Sequence, residues 1–122
     1  MKTILVIDDD PEIRQLVDLS LGITSDWRVI EASSGPESVG ILDQMKPDAI
    51  LLDIHMPGID GLTTLNLIRA VPANRDIPVL AYTADPSAVD PDNLPDGLRG
   101  VMLKPFSPDA LAERLKSLWD ED

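Results

Sequence analysis

Two apolar runs in this chain stop at bare carboxylates. Ile4, Leu5, Val6 and Ile7 lead into Asp8, Asp9 and Asp10, and Ala49, Ile50, Leu51 and Leu52 lead into Asp53. Short continuous runs of this kind read as strands buried on both faces, the pattern of a parallel sheet covered by helices on each side. Neighbouring parallel strands end at the same edge of their sheet, so the acids are expected to converge there. Three carboxylates within about 4 Å of one another repel by roughly 4 kcal/mol per pair at an effective dielectric of ~20. Such a cluster needs a cation, a proton or a basic side chain.

The remaining sequence supports an alternation of strands and helices. Asp10 is placed as a helix cap with Pro11 at the first helical position, and Ile13, Leu16, Val17 and Leu21 pattern one apolar face ahead of Gly22. Arg28 to Ala32 read as a second strand. Ser34, Gly35 and Pro36 open a second helix that turns Val39, Leu42 and Met45 inward and stops at Pro47. After Asp53, the segment Met56-Pro57-Gly58 gives a turn, and Asp60 caps a helix carrying Leu62, Leu65 and Ile68. Val79 to Tyr82 make a fourth strand ending at Thr83, and Val101 to Leu103 a fifth ending at Lys104 and Pro105. Ser107 caps a last helix, with Pro108 at its start and Leu111, Leu115, Leu118 and Trp119 facing the core. Between Ala84 and Gly100 the rhythm fails. Pro86, Pro91 and Pro95 fall among Asp85, Asp90, Asp92 and Asp96, and a proline inside a helix costs about 3 kcal/mol. A short helical turn within a mobile loop is the most this interval is expected to hold.

Composition narrows the function classes. A chain of 122 residues, 43% hydrophobic and 26% charged, is the size of one domain, so residues 1–122 are expected to form one unit. The absence of cysteine rules out disulfides, thiolate metal sites and cysteine nucleophiles. The apolar runs are too short to span a bilayer and no secretory leader pattern is present, which gives a cytoplasmic default. A formal net charge of -12 with scattered basic residues argues against phosphate-backbone and anionic-lipid partners, and in favour of proteins or a divalent metal.

Every strand except the second ends in a group suited to a phosphoryl group or a hard cation: Asp8 and Asp9, Asp53, Thr83 and Lys104. Carboxylates with a main-chain carbonyl suit Mg2+, which keeps several waters. Lys104 offers a compact cation and Thr83 a hydroxyl donor for phosphoryl oxygens, and an ionised aspartate is available as nucleophile.

In the segments Val6-Ile7-Asp8-Asp9-Asp10, Leu51 to Gly61, Tyr82-Thr83-Ala84 and Leu103-Lys104-Pro105-Phe106, the chain resembles the receiver domain of two-component response regulators over essentially its whole length. The resemblance implies a doubly wound, flavodoxin-like α/β fold with strand order 2-1-3-4-5. It implies that Asp53 accepts a phosphoryl group from a histidine kinase or phosphotransfer protein, catalysing only its own phosphorylation and dephosphorylation. It also implies Mg2+ bound by Asp9 and Asp53, with Asp8 acting through metal-bound water and the main-chain carbonyl of His55 completing the protein ligands. Thr83 would be the switch hydroxyl, Lys104 the phosphate partner, and the Lys104-Pro105 bond cis. Two positions depart from the family. Val101 stands where an aromatic residue is common, and the proline-bearing interval replaces a regular fourth helix. Ordering of that interval through Thr83 is therefore expected to replace the aromatic switch.

Two other readings compete with the phosphorelay switch. A small Mg2+-dependent aspartyl-nucleophile phosphatase or phosphotransferase would need a second acid beside the nucleophile, where His55 stands, and a substrate cap. A receiver-like module acting only through protein binding would be favoured by loss of an acid, the hydroxyl or the lysine, and all are present. The output, a separate protein or a fused domain, is not specified by these residues.

Overall fold

The structure is a computed structural model that describes residues 2–24, 26–56, 58, 60–85, 87, 89–90, 92–95 and 97–120. Pro57, Pro86, Pro91 and Asp96, invoked above for turn and loop structure, lie outside the described residues. Five parallel strands alternate with helices: β1 (Thr3–Ile7), α1 (Pro11–Thr24), β2 (Arg28–Ala32), α2 (Gly35–Leu42), β3 (Ala49–Asp53), α3 (Gly61–Arg69), β4 (Val79–Thr83), β5 (Leu98–Leu103) and α4 (Pro108–Asp120). The sheet order is β2-β1-β3-β4-β5, so the chain moves outward from β1 to β2 and then returns past β1 to β3. That reversal is the switch point at which doubly wound sheets bind ligands.

Every residue of β3 and β4 is buried, as two-faced strands require. Strand parity divides their side chains between two cores. Leu5, Ile7, Ile50, Leu52, Val79 and Ala81 pack with Leu42, Leu65 and Ile68 from α2 and α3. Ile4, Val6, Leu51, Leu80 and Tyr82 pack on the opposite face with Val17 and Leu21 of α1 and Leu111 and Leu115 of α4.

The caps form as their sequences suggest. Asp10 accepts from the Glu12 N–H at 2.9 Å, Ser34 from Glu37 at 3.2 Å, Asp60 from Thr63 at 2.8 Å and Ser107 from Ala110 at 3.2 Å. Four details differ from the sequence expectation. Helix α1 continues through Gly22 to Thr24. Leu16 is 44% exposed, because the buried stripe follows Val17, Ser20 and Leu21, and residue 16 falls to its side. Helix α2 ends at Leu42, where the Gln44 and Met45 N–H groups both turn back to the Ile41 carbonyl, so Pro47 terminates nothing. Its fully buried face is Gly35, Ser38 and Leu42, with Val39 only half-buried. A Cβ on Gly35 would lie 2.3 Å from Thr64 Oγ1, so close packing of α2 on α3 favours small residues there.

Strand β5 starts at Leu98, three residues before the apolar run that marks it. Val79 pairs with Leu98 and Leu80 with Gly100, which leaves Arg99 as an extra residue at a register shift. Among the described residues between β4 and β5 there is no helix. Val89 (6% exposed) and Leu94 instead fill the core above these strands. The Arg69 guanidinium, on α3, donates to the carbonyls of Asn74 (2.5 Å), Ile77 (2.6 Å) and Gly97 (2.7 Å), fastening the return of the interval to α3. Gly97 has φ +87°, a conformation other residues rarely adopt.

At the N-terminal edge of the sheet, Trp27 and Trp119 meet edge to face with centroids 5.2 Å apart. The Trp119 indole N–H donates to the Asp48 carbonyl at 3.0 Å, and Lys2 Nζ lies 4.9 Å from the ring centroid. Among the described residues no helix is long and apolar enough to cross a membrane.

Candidate functional site

The carboxyl edge of the sheet gathers the acids that the two apolar runs expose. Ile7 pairs with Leu52, and one residue further Asp8 and Asp53 leave their strands side by side. Asp53 in turn pairs with Tyr82. Even spacing along each strand turns Asp8, Asp53 and Tyr82 toward the α1 and α4 face, so they form one row across β1, β3 and β4. Asp8 and Asp53 are 1% and 2% exposed, whereas Asp9 is open to solvent. One carboxylate oxygen from each of Asp8, Asp9 and Asp53 lies within 4.8 Å of the others.

Lys104, carried to this edge by β5, places Nζ 3.4 Å from Asp53 Oδ1 and 3.5 Å from Asp8 Oδ2. Its main-chain N–H donates to the Thr83 carbonyl at 2.9 Å, and the Lys104-Pro105 bond is cis. Asp53 Oδ1 also accepts the His55 N–H at 3.2 Å, while the rest of His55 is exposed. Burial raises the Asp53 carboxyl to about 6, with Asp8 adding to the rise; Lys104 and the His55 N–H pull the other way.

Thr83 is 1% exposed at the end of β4, and its parity sets it on the opposite side of the strand from Tyr82. Its Oγ1 accepts the Asp85 N–H at 3.1 Å, which leaves the hydroxyl proton available to an acceptor. Gly61 closes the back of the site. A Cβ there would stand 2.3 Å from the Asp53 carbonyl oxygen and 2.6 Å from Ile54 Cα. The start of α3 can approach β3 this closely only with glycine. Asp10 stays outside the cluster as a cap; its N–H donates to Asp8 Oδ1 at 2.9 Å.

Two groups around Asp8 are not evident from the motifs. Arg14 Nη1 donates to the Asp8 carbonyl at 2.7 Å and its Nε pairs with Glu31 at 3.1 Å, bracing the loop after β1. The Tyr82 hydroxyl donates to Asp8 Oδ2. The signal for Tyr82 is parity, which puts it in line with Asp8 and Asp53 once the register is known. Burial and this bond raise the tyrosine well above its ordinary range and keep it protonated.

Three carboxylates face one ammonium here, so the ionised cluster carries about two uncompensated negative charges. Hard oxygen donors, partial burial and that excess charge fit a divalent ion such as Mg2+. The same features would suit poorly a soft metal, which favours nitrogen or sulfur.

The chain matches the response regulator receiver domain model over residues 4–116. It is 34% identical over 119 residues to the DNA-binding dual master transcriptional regulator RpaA of Synechocystis, spanning 97% of this chain and 49% of RpaA. It is 35% identical over 116 residues to the transcriptional regulatory protein TrcR of Mycobacterium tuberculosis, covering 94% of this chain and 44% of TrcR. The chain thus spans about half the length of these relatives. RpaA is a DNA-binding regulator, so the expectation of no nucleic-acid partner, drawn from acidity, is unsupported for any longer protein containing such a segment. Among solved structures, the chemotaxis protein CheY4 of Vibrio cholerae superposes with TM-score 0.86 at 26% identity, covering 97% of this chain and 98% of that one. The response regulator TrrA of Thermotoga maritima, in complex with Mg(2+)-BeF, gives 0.83 at 33% identity, covering 97% and 99%. With its strand order, its acidic edge and the span of the family match all in agreement, the chain belongs to the response regulator receiver domains of two-component signalling.

Proposed function

We propose that residues 1–122 act as one phosphoacceptor unit, in which Asp53 takes a phosphoryl group from a phosphohistidine on a histidine kinase or phosphotransfer protein. The observation that carries this reading is the convergence of Asp8, Asp9 and Asp53 on one ammonium, Lys104, at the switch point of the sheet. Asp8, Asp9 and Asp53, with the His55 main-chain carbonyl, would hold Mg2+. When bound, Mg2+ supplies positive charge that neutralises phosphoryl oxygens.

Asp53 attacks phosphorus with a carboxylate oxygen. The O–P bond forms as the donor's N–P bond breaks, and the electron pair leaves on the imidazole nitrogen. Attack needs the ionised carboxylate, which Lys104 and the His55 N–H favour and burial opposes. Lys104, already between Asp8 and Asp53, is placed to pair with a phosphoryl oxygen. Thr83 keeps its hydroxyl proton to donate to another, and its bond from Asp85 joins that event to the interval leading to β5. Water later attacks phosphorus and restores the carboxylate with release of inorganic phosphate. A phosphatase of this kind would need a second acid two residues beyond Asp53, and the exposed His55 stands there. The relatives' greater length supports control of a fused output segment, with a separate cytoplasmic partner as the other form the output would take.

The test is intact mass after incubation with acetyl phosphate. An accumulating phosphoryl adduct is expected with Mg2+, absent with chelator and absent in Asp53→Asn. No adduct would leave a protein-binding module, and continuous turnover of a phosphoester would indicate a phosphatase.

A further inference from the structure

We propose that Tyr82 is a positioning residue for the cation site, its hydroxyl fixing the orientation of the Asp8 carboxylate. The inference rests on the metal-binding reading above. Tyr82 is fully buried, and a buried phenol O–H is costly without a partner. Its partner is Asp8 Oδ2, while Oδ1 of the same carboxylate accepts the Asp10 N–H at 2.9 Å. Both oxygens are therefore held, and the carboxylate has one orientation about its Cβ–Cγ bond.

The ring contributes as well. Lys104 Nζ sits 4.5 Å from its centroid, so the aromatic face helps locate the ammonium that bridges Asp8 and Asp53. Phe106 meets the same ring edge to face with centroids 6.0 Å apart. Tyr82 thus serves two groups at once: its hydroxyl orders a carboxylate and its ring face orders the counter-charge. Partners that orient ligating carboxylates typically change metal affinity by about 10- to 100-fold when removed.

The experiment is calorimetric titration of Mg2+ into wild type, Tyr82→Phe and Phe106→Leu, with the rate of acetyl phosphate labelling measured across Mg2+ concentration. Tyr82→Phe is expected to weaken Mg2+ by about tenfold. Its labelling should need about tenfold more Mg2+ to reach half of its own maximal rate, so that the change falls in the metal constant. Phe106→Leu disturbs the same packing but keeps the hydroxyl, and should bind Mg2+ as wild type does. Equal or tighter binding by Tyr82→Phe overturns the proposal, as does an equal loss in Phe106→Leu. Failure of wild type to bind Mg2+ overturns the metal reading itself and this inference with it. As a check independent of any variant, Tyr82 is the chain's one tyrosine, and its ring carbon resonances in wild type should move with Mg2+ at the calorimetric constant. Unchanged resonances at saturation would also overturn it.

Discussion

Replacing Asp53 by asparagine should stabilise the fold at neutral pH, and by an amount that depends on pH in a defined direction. The folded carboxyl is raised from 3.8 to about 6, chiefly by burial and secondly by Asp8. Between these values the folded chain holds more proton than the unfolded chain. Stability therefore falls as pH rises through that window and levels off above it. Each pK unit corresponds to about 1.36 kcal/mol, so the full shift sets a ceiling of about 3 kcal/mol. Relaxation around the charge and local counter-ions bring the expected gain of Asp53→Asn to about 1–3 kcal/mol at pH 7.5. For a chain of this length that is roughly 3–10 °C in melting temperature. Asparagine preserves the shape and can still accept from His55, so the comparison isolates the charge. Circular dichroism melts of both proteins without divalent metal, from pH 4 to pH 8, provide the assay. The gap should be small at pH 4 and open through about pH 6. Mg2+ at about ten times its dissociation constant should recover about 1.4 kcal/mol in wild type alone. A gap that is constant across pH, or a less stable Asp53→Asn, would show that attraction to Lys104 outweighs burial and Asp8, and would refute the reasoning.

Lys104→Met removes the cation that lowers Asp53 and should raise its carboxyl further above 6. The expected cost is about 2 kcal/mol at pH 7.5 and less at pH 5, read from urea unfolding. Gly61→Ala forces a Cβ against the Asp53 carbonyl and should cost about 2 kcal/mol while slowing labelling of Asp53. Gly22→Ala, in helix α1 with nothing within 4 Å of the added Cβ, should instead stabilise by about 0.5–1 kcal/mol. Hydrogen exchange over residues 84–97 should slow when beryllofluoride and Mg2+ are added; unchanged protection would remove Thr83 as the link to that interval.

The sheet and most of the acidic site were legible because each depends on a local pattern. A strand buried on both faces has no polar alternation, so Asp8 and Asp53 mark where burial ends, and the prolines after Thr83 speak against a full helix, leaving room for a short turn, without any tertiary information. Elements set by tertiary contact were harder to read. Leu16 looks like a core residue in the sequence but falls beside the buried stripe of α1. The start of β5 is hidden because Arg99 and Gly100 interrupt its apolar run, and the strand exists there through pairing with β4. Nothing in the sequence pattern singles out Arg69, yet it donates to three carbonyls beyond its own helix. Tyr82 reads as an ordinary strand aromatic, and only the register of three strands reveals its place beside Asp8.

The two tryptophans, locked edge to face against Lys2 and Asp48, lie at the end of the sheet opposite the acids. Their near-ultraviolet ellipticity and emission therefore record whether the last helix is docked on the start of β3. Selectively excited indole emission reports this end alone, whereas near-ultraviolet ellipticity also carries Tyr82 beside Asp8. Unlabelled protein can be followed through unfolding by its indoles while the charge state of Asp53 is varied, with the optical signal and the titrating group separated by the length of the strands.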